Sequence, residues 1–84
     1  MPTEADITET IVARLHTLVP PGVEIGPGTS IMGDLGLDSL TVMNFVMWLE
    51  DAFDVSLPMD RIVEVETVAD LAGALHALGA KDAP

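Results

Sequence analysis

The sequence predicts an all-α fold, a small four-helix bundle with a long loop between helices one and two and a short third helix. Three observations predict it. Apolar residues recur at helical spacing in separate segments, hydroxyl or carboxylate caps stand at the starts of those segments, and no segment alternates apolar and polar residues over the length of a strand. The nearest approach to a strand is Val63-Glu64-Val65-Glu66, which has the alternation only locally.

The first helix is expected from Thr3 to about Val19, because Ile7, Ile11, Val12, Leu15, Leu18 and Val19 share one face. Thr3 and Asp6 have the spacing of a capping box at its start. Pro20-Pro21-Gly22 ends it, since proline cannot continue the hydrogen-bond ladder and disfavours helix in the residue before it.

Val23 to Asp38 then forms a long connection rich in glycine, with Val23, Ile25, Ile31, Met32, Leu35 and Leu37 available to anchor it to the core. A loop of this length in a small domain is usually functional or internally packed. Thr29 or Ser30 can cap a short turn within it.

The second helix is expected from Asp38 to about Phe53, with Asp38 as the N-cap. At ~100° per residue, Val42, Phe45, Val46, Leu49 and Phe53 fall on one stripe, the core face. Leu40, Met43 and Met47 fall on the opposite side among Asn44, Glu50, Asp51 and Asp54, with Trp48 near the border beside Thr41. Apolar residues grouped where solvent is expected suggest a contact surface, and methionine adapts to several partners; cover by the loop or the third helix is the other reading, and for Trp48 the two are equally weighted.

Asp54-Val55-Ser56 breaks the pattern, and Leu57 to Val63 suggests the short third helix with Pro58 in its first turn. The last helix begins at Thr67, again with capping-box spacing to Asp70, and buries Val68, Leu71, Ala72, Leu75 and Leu78. Gly79 suits its C-terminal cap. Residues Ala80 to Pro84 are expected to fray.

With 84 residues, the chain is read as one domain, 1–84, with its core over about residues 3–79. It has no cysteine, and its two histidines are far apart, so no metal site is expected and packing and caps must supply the stability. The formal net charge is −11, with Arg14, Arg61 and Lys81 the basic residues. Such a field repels nucleic acid and anionic membranes and favours partners with basic surfaces, unless the acidity serves solubility alone. No signal peptide or membrane span is legible, so a cytoplasmic protein is expected, and it is read as a monomer.

Gly33-Asp34-Leu35-Gly36-Leu37-Asp38-Ser39-Leu40 concentrates the functional signal. An Asp-Ser pair at a helix start is most often a cap and nothing more. Here the glycines allow a compact loop that leaves Ser39 accessible, and Leu35 and Leu37 can pin that loop. A helix N-terminus also favours a phosphate ester on that hydroxyl, and the unexpected apolar face begins beside it. A hydrolase is disfavoured because Gly36 to Leu40 fails the G-x-S-x-G pattern, and neither His16 nor His76 makes a credible triad partner. No catalytic residue is assigned.

These same residues, Gly33 to Leu40, closely resemble the phosphopantetheine attachment motif of acyl carrier proteins. Leu49-Glu50-Asp51-Ala52-Phe53-Asp54-Val55 with Leu57-Pro58 resembles the end of that family's second helix, and Thr67-Val68-Ala69-Asp70-Leu71 its entry into the last. The resemblance implies that a phosphopantetheinyl transferase places 4′-phosphopantetheine from coenzyme A on Ser39, within the motif residues Asp38 and Leu40. The cofactor's thiol would then carry an acyl or aminoacyl thioester, and the protein would not itself be a catalyst. It further implies a partner face on the second helix, with Leu40, Thr41, Met43, Asn44, Met47, Trp48, Glu50 and Asp51 meeting a basic docking surface on an acyltransferase, ketosynthase or adenylating enzyme.

Thr41 and Asn44 stand where fatty-acid-synthesis members often have acidic residues, and Trp48 where a small residue is common. These departures favour a discrete carrier of polyketide or mixed polyketide and peptide metabolism, including antibiotic biosynthesis, over a fatty-acid-synthesis carrier. A peptidyl carrier is disfavoured by Asp38, where those domains commonly have histidine. Two other classes remain open: a non-covalent helical adaptor using the Leu40, Met43, Met47 and Trp48 face, and, as the weakest, a small esterase.

Overall fold

The computed structural model describes residues 2–81. Four helices follow in order: α1 (Glu4–Leu15), α2 (Ser39–Phe53), α3 (Met59–Ile62) and α4 (Val68–Ala77). The all-α expectation holds. Val63 to Glu66 form no strand, and the sole pairing among the described residues is an isolated antiparallel bridge between Ser30 and Thr67.

Caps fix the helix starts where the sequence predicts them. In α1 the Thr3 hydroxyl accepts the Asp6 N–H at 3.1 Å, and the Asp6 carboxylate accepts the Thr3 N–H at 3.0 Å. Thr67 and Asp70 repeat the arrangement at α4, at 3.1 and 3.0 Å. Each reciprocal pair satisfies two N–H groups that the helix itself leaves without acceptors.

The first helix ends at Leu15, four residues before the expected Val19. Its last turn tightens, with the Thr17 N–H and Leu18 N–H bonded three residues back to Arg14 and Leu15, while the Thr17 hydroxyl donates to the Arg14 carbonyl at 2.6 Å. Thr17 thereby supplies a local alternative to the helical ladder before Pro20 is reached.

Ile7, Ile11 and Leu15 of α1 pack against Val68, Leu71, Ala72 and Leu75 of α4, and Phe45, Val46, Leu49 and Phe53 of α2 close the core. Ile31, Leu57 and Ala80 seal it from the connections. The tail corrects the expectation of fraying in part. Ala80 is buried with its N–H on the Leu75 carbonyl, and the Lys81 N–H reaches the Phe53 carbonyl at 2.7 Å, so apolar burial and two bonds hold this segment. The rest of that expectation, on residues 82–84, lies outside the described residues. Gly79 adopts φ +82°, the left-handed cap conformation that its lack of Cβ permits.

The long loop is built rather than loose. The Ile31 N–H bonds the Glu66 carbonyl, the Val68 N–H bonds the Thr29 carbonyl, and the Ala69 N–H bonds the Pro27 carbonyl, lashing the loop across the start of α4. Of its expected anchors, Ile31 is buried and Ile25, Leu35 and Leu37 pack on the core, but Met32 is 49% exposed and neither it nor Val23 belongs to the core cluster.

Candidate functional site

Ser30 starts a single helical turn inside the loop. Its hydroxyl accepts the Gly33 N–H at 3.1 Å, its N–H donates to the Asp34 carboxylate at 2.8 Å, and i to i+4 bonds follow at Asp34 and Gly36. A Cβ on Gly33 would lie 2.8 Å from the Ser30 hydroxyl oxygen, so this turn demands glycine or a shift of Ser30. Gly36, at φ +65°, then redirects the chain toward α2. Leu35 and Leu37, half-buried on the core, hold the loop on either side of it.

Asp38 caps α2, with its carboxylate accepting the Thr41 N–H at 2.8 Å. The Thr41 side chain and backbone N–H beside Asp38 hold its carboxyl below the ordinary carboxylate range, so it is anionic at neutral pH. Ser39 is the first residue of the helix and is exposed. No acidic side chain occupies the first turn after the cap. The helix dipole and free first-turn N–H groups therefore favour a phosphate ester there.

The surroundings fit phosphopantetheine: an accessible hydroxyl at a helix N-terminus opens onto a cleft of about 610 Å³ between α2 and α3. Val42, Phe45, Val46, Leu57, Ile62 and Leu71 form much of its apolar wall, with Ser39 on the same lining. Met32, Met43, Met59 and Val63 also line it, and of these Met59 and Val63 are 61% and 73% exposed. The short helix α3, with its neighbour Val63, was not legible as part of this site, because a four-residue helix has too little periodicity to show a face.

The other residues of the expected partner face separate into groups. Leu40 (71%) and Met47 (58%) are exposed, as are Asn44 and Asp51. Met43 is half-buried and lines the cleft on the side of α2 that faces α3, instead of standing in solvent. Thr41 is half-buried and engaged with Asp38. The Glu50 carboxylate accepts the Leu57 N–H at 2.7 Å, and its carbonyl accepts the Val55 N–H, so it organises the turn into α3. Asp54 makes that turn possible at φ +49°, a left-handed value that aspartate tolerates better than most residues.

Trp48 is half-buried against the core, and the Arg14 guanidinium lies over its ring at 4.6 Å. His16 and His76 are exposed and line no part of the cleft beside Ser39. No cluster of three or more metal-ligating side chains occurs among the described residues, and none of their helices is long and apolar enough to cross a membrane.

The chain matches the family model described as the phosphopantetheine attachment site over residues 5–75, a span that includes Ser39. It is 46% identical over 56 residues to a probable acyl carrier protein of Caulobacter vibrioides, covering 67% of this chain and 65% of that protein. It is 38% identical over 65 residues to an acyl carrier protein of Sulfurovum sp., covering 77% and 83%. It is also 45% identical over 47 residues to an acyl carrier protein of Syntrophobacter fumaroxidans, covering 56% and 58%. The chain thus spans just under two thirds of the first of these relatives and most of the second.

Proposed function

The chain belongs to the acyl carrier protein family, whose prosthetic group is 4′-phosphopantetheine, and we propose that Ser39 receives this group and that the protein shuttles acyl or aminoacyl cargo between biosynthetic enzymes. The observation that carries this reading is the exposed Ser39 hydroxyl at the first residue of α2, beside an open apolar cleft. When attached, the group supplies a flexible arm whose thiol holds cargo as a thioester. The protein provides the rest: Asp38 and Thr41 fix the turn that presents Ser39, and the loop from Ser30 to Leu37 keeps that turn against the core. The protein is a covalent substrate for its partners and not a catalyst.

The cleft offers an apolar chain shelter from water, at a volume within the roughly 300–1,000 Å³ usual for small-molecule sites. The pathway we favour is specialised, polyketide-type metabolism with a discrete carrier. Asn44 is exposed and uncharged, and Trp48 is committed to Arg14, so the outer face of α2 near Ser39 is apolar and poor in charge. A fatty-acid-synthesis carrier is the alternative. Further from Ser39, Asp51 and Asp54 are available to a basic partner surface on a phosphopantetheinyl transferase or an acyl-handling enzyme. The protein is expected to be a cytoplasmic monomer.

Incubation with coenzyme A and a broad-specificity phosphopantetheinyl transferase should add the mass of one phosphopantetheine, and Ser39→Ala should abolish the gain. An unchanged mass for the folded wild-type protein would refute the reading. Loading the modified protein with acyl and aminoacyl groups by candidate pathway enzymes, read by intact mass, would distinguish the two pathway assignments.

A further inference from the structure

Among the residues lining the cleft beside Ser39, Glu66 alone carries a charge. The backbone that bears it is held from both sides. Its carbonyl accepts the Ile31 N–H at 3.0 Å, and its N–H donates to the Asp70 carboxylate at 3.2 Å. Glu66 is an exposed residue of the cleft lining.

None of the protein's basic residues offsets it within the lining: Arg14 lies over Trp48, and neither Arg61 nor Lys81 lines the cleft. A cargo chain ending in a carboxylate would therefore lose water against an apolar wall and meet a like charge with no cation to pair with. Both effects oppose entry, and the overall charge of −11 adds to the second. A neutral chain of the same length meets neither.

We propose that Glu66 is a specificity-determining residue that keeps acyl chains ending in a carboxylate out of the cleft while neutral apolar chains enter. This inference rests on the cleft being the shelter for cargo carried on Ser39. An excluded chain stays in solvent, where its thioester is open to attack.

The test loads the full chain at Ser39 from hexanoyl-coenzyme A or adipoyl-coenzyme A, two groups of equal carbon count that differ in a terminal carboxylate. The readouts are the methyl resonances of Ile31, Ile62, Val65 and Leu71 and the rate of thioester cleavage by hydroxylamine. The hexanoyl group should move the methyl resonances from their positions in the unacylated form and slow cleavage by roughly fivefold relative to hexanoyl-coenzyme A. The adipoyl group should do neither in the wild type. In Glu66→Gln, which removes the repulsion but not the loss of water, it should shift the same resonances in part, and in Glu66→Lys, which supplies a cation, it should shift them further, with the hexanoyl result unchanged in both. Because the Glu66 side chain is exposed, neither variant removes core packing.

Equal shifts from both groups in the wild type, or an adipoyl group still outside in both variants, would overturn the charge sorting and leave the cleft's sheltering role intact. Absence of any hexanoyl shift would overturn both.

Discussion

Trp48 shows how one side chain of the expected partner face is engaged within the fold itself. Its ring packs on the core while Arg14 of α1 stacks above it, so this edge of α2 turns toward the bundle and away from a partner. Among the described residues the buried Arg14 Nε atom has no hydrogen-bond partner, a cost that the stacking must offset. Arg14→Gln should lower stability by about 0.5–1 kcal/mol in urea unfolding, with a red shift in the fluorescence of the one tryptophan. A variant with unchanged emission and midpoint would show that the stack contributes nothing. A second residue-scale prediction concerns acid. The carboxyls of Asp6, Asp38 and Asp70 are lowered by cap hydrogen bonds, from Thr3, from Thr41, and from Thr67 and Glu66, respectively. A depressed carboxyl stabilises the fold fully above its unfolded pKa, near 3.8, and loses that contribution as the pH falls through its lower folded value. Helix content followed by circular dichroism should therefore fall below about pH 4, with a weaker acid dependence in Asp38→Asn.

At the scale of elements, α3 and its neighbour Val63 add exposed apolar surface to the face that the sequence assigned to α2 alone. Leu40 and Met47 expose apolar surface on α2, and Met59 and Val63 extend it near α3, whereas Met43 turns into the cleft between them. Met47→Glu should slow cargo transfer to a partner enzyme with little change in melting temperature, while Met43→Glu should also destabilise the protein, because it places a charge against an apolar wall. Equal transfer rates for Met47→Glu and the wild type would put the docking surface elsewhere. Caps at α1, α2 and α4 were legible because Thr3, Asp38 and Thr67 act over three residues, and a linear sequence displays that spacing directly. Thr67→Ala should cost about 1 kcal/mol, measured by thermal melting. The early end of α1, the Glu50 bond to Leu57 and the seat of Lys81 on Phe53 were not legible, since each is decided by a side chain or tertiary contact that periodicity does not encode. The cleft was hidden for the same reason. The exposed position of Ser39 at the start of α2 was legible because its signal is a contiguous motif.

For the whole molecule, a net charge of −11 on 84 residues means that the folded chain repels itself. Raising salt from low to physiological ionic strength should shorten the Debye length to about 8 Å and raise the melting temperature. A melting temperature that falls would mean that favourable pairs outweigh the repulsion. The same field would draw in basic partners, so their association should slow as salt rises while the protein itself becomes more stable. The bonds that lash the long loop to the start of α4 connect Pro27, Thr29 and Ile31 with residues 66–69, far along the chain. Closing such distant segments is entropically slow, so these bonds should form late in folding. Ser39 would then reach its presenting geometry only in a chain whose C-terminal helix is already in place, and its modification would double as a check that folding is complete.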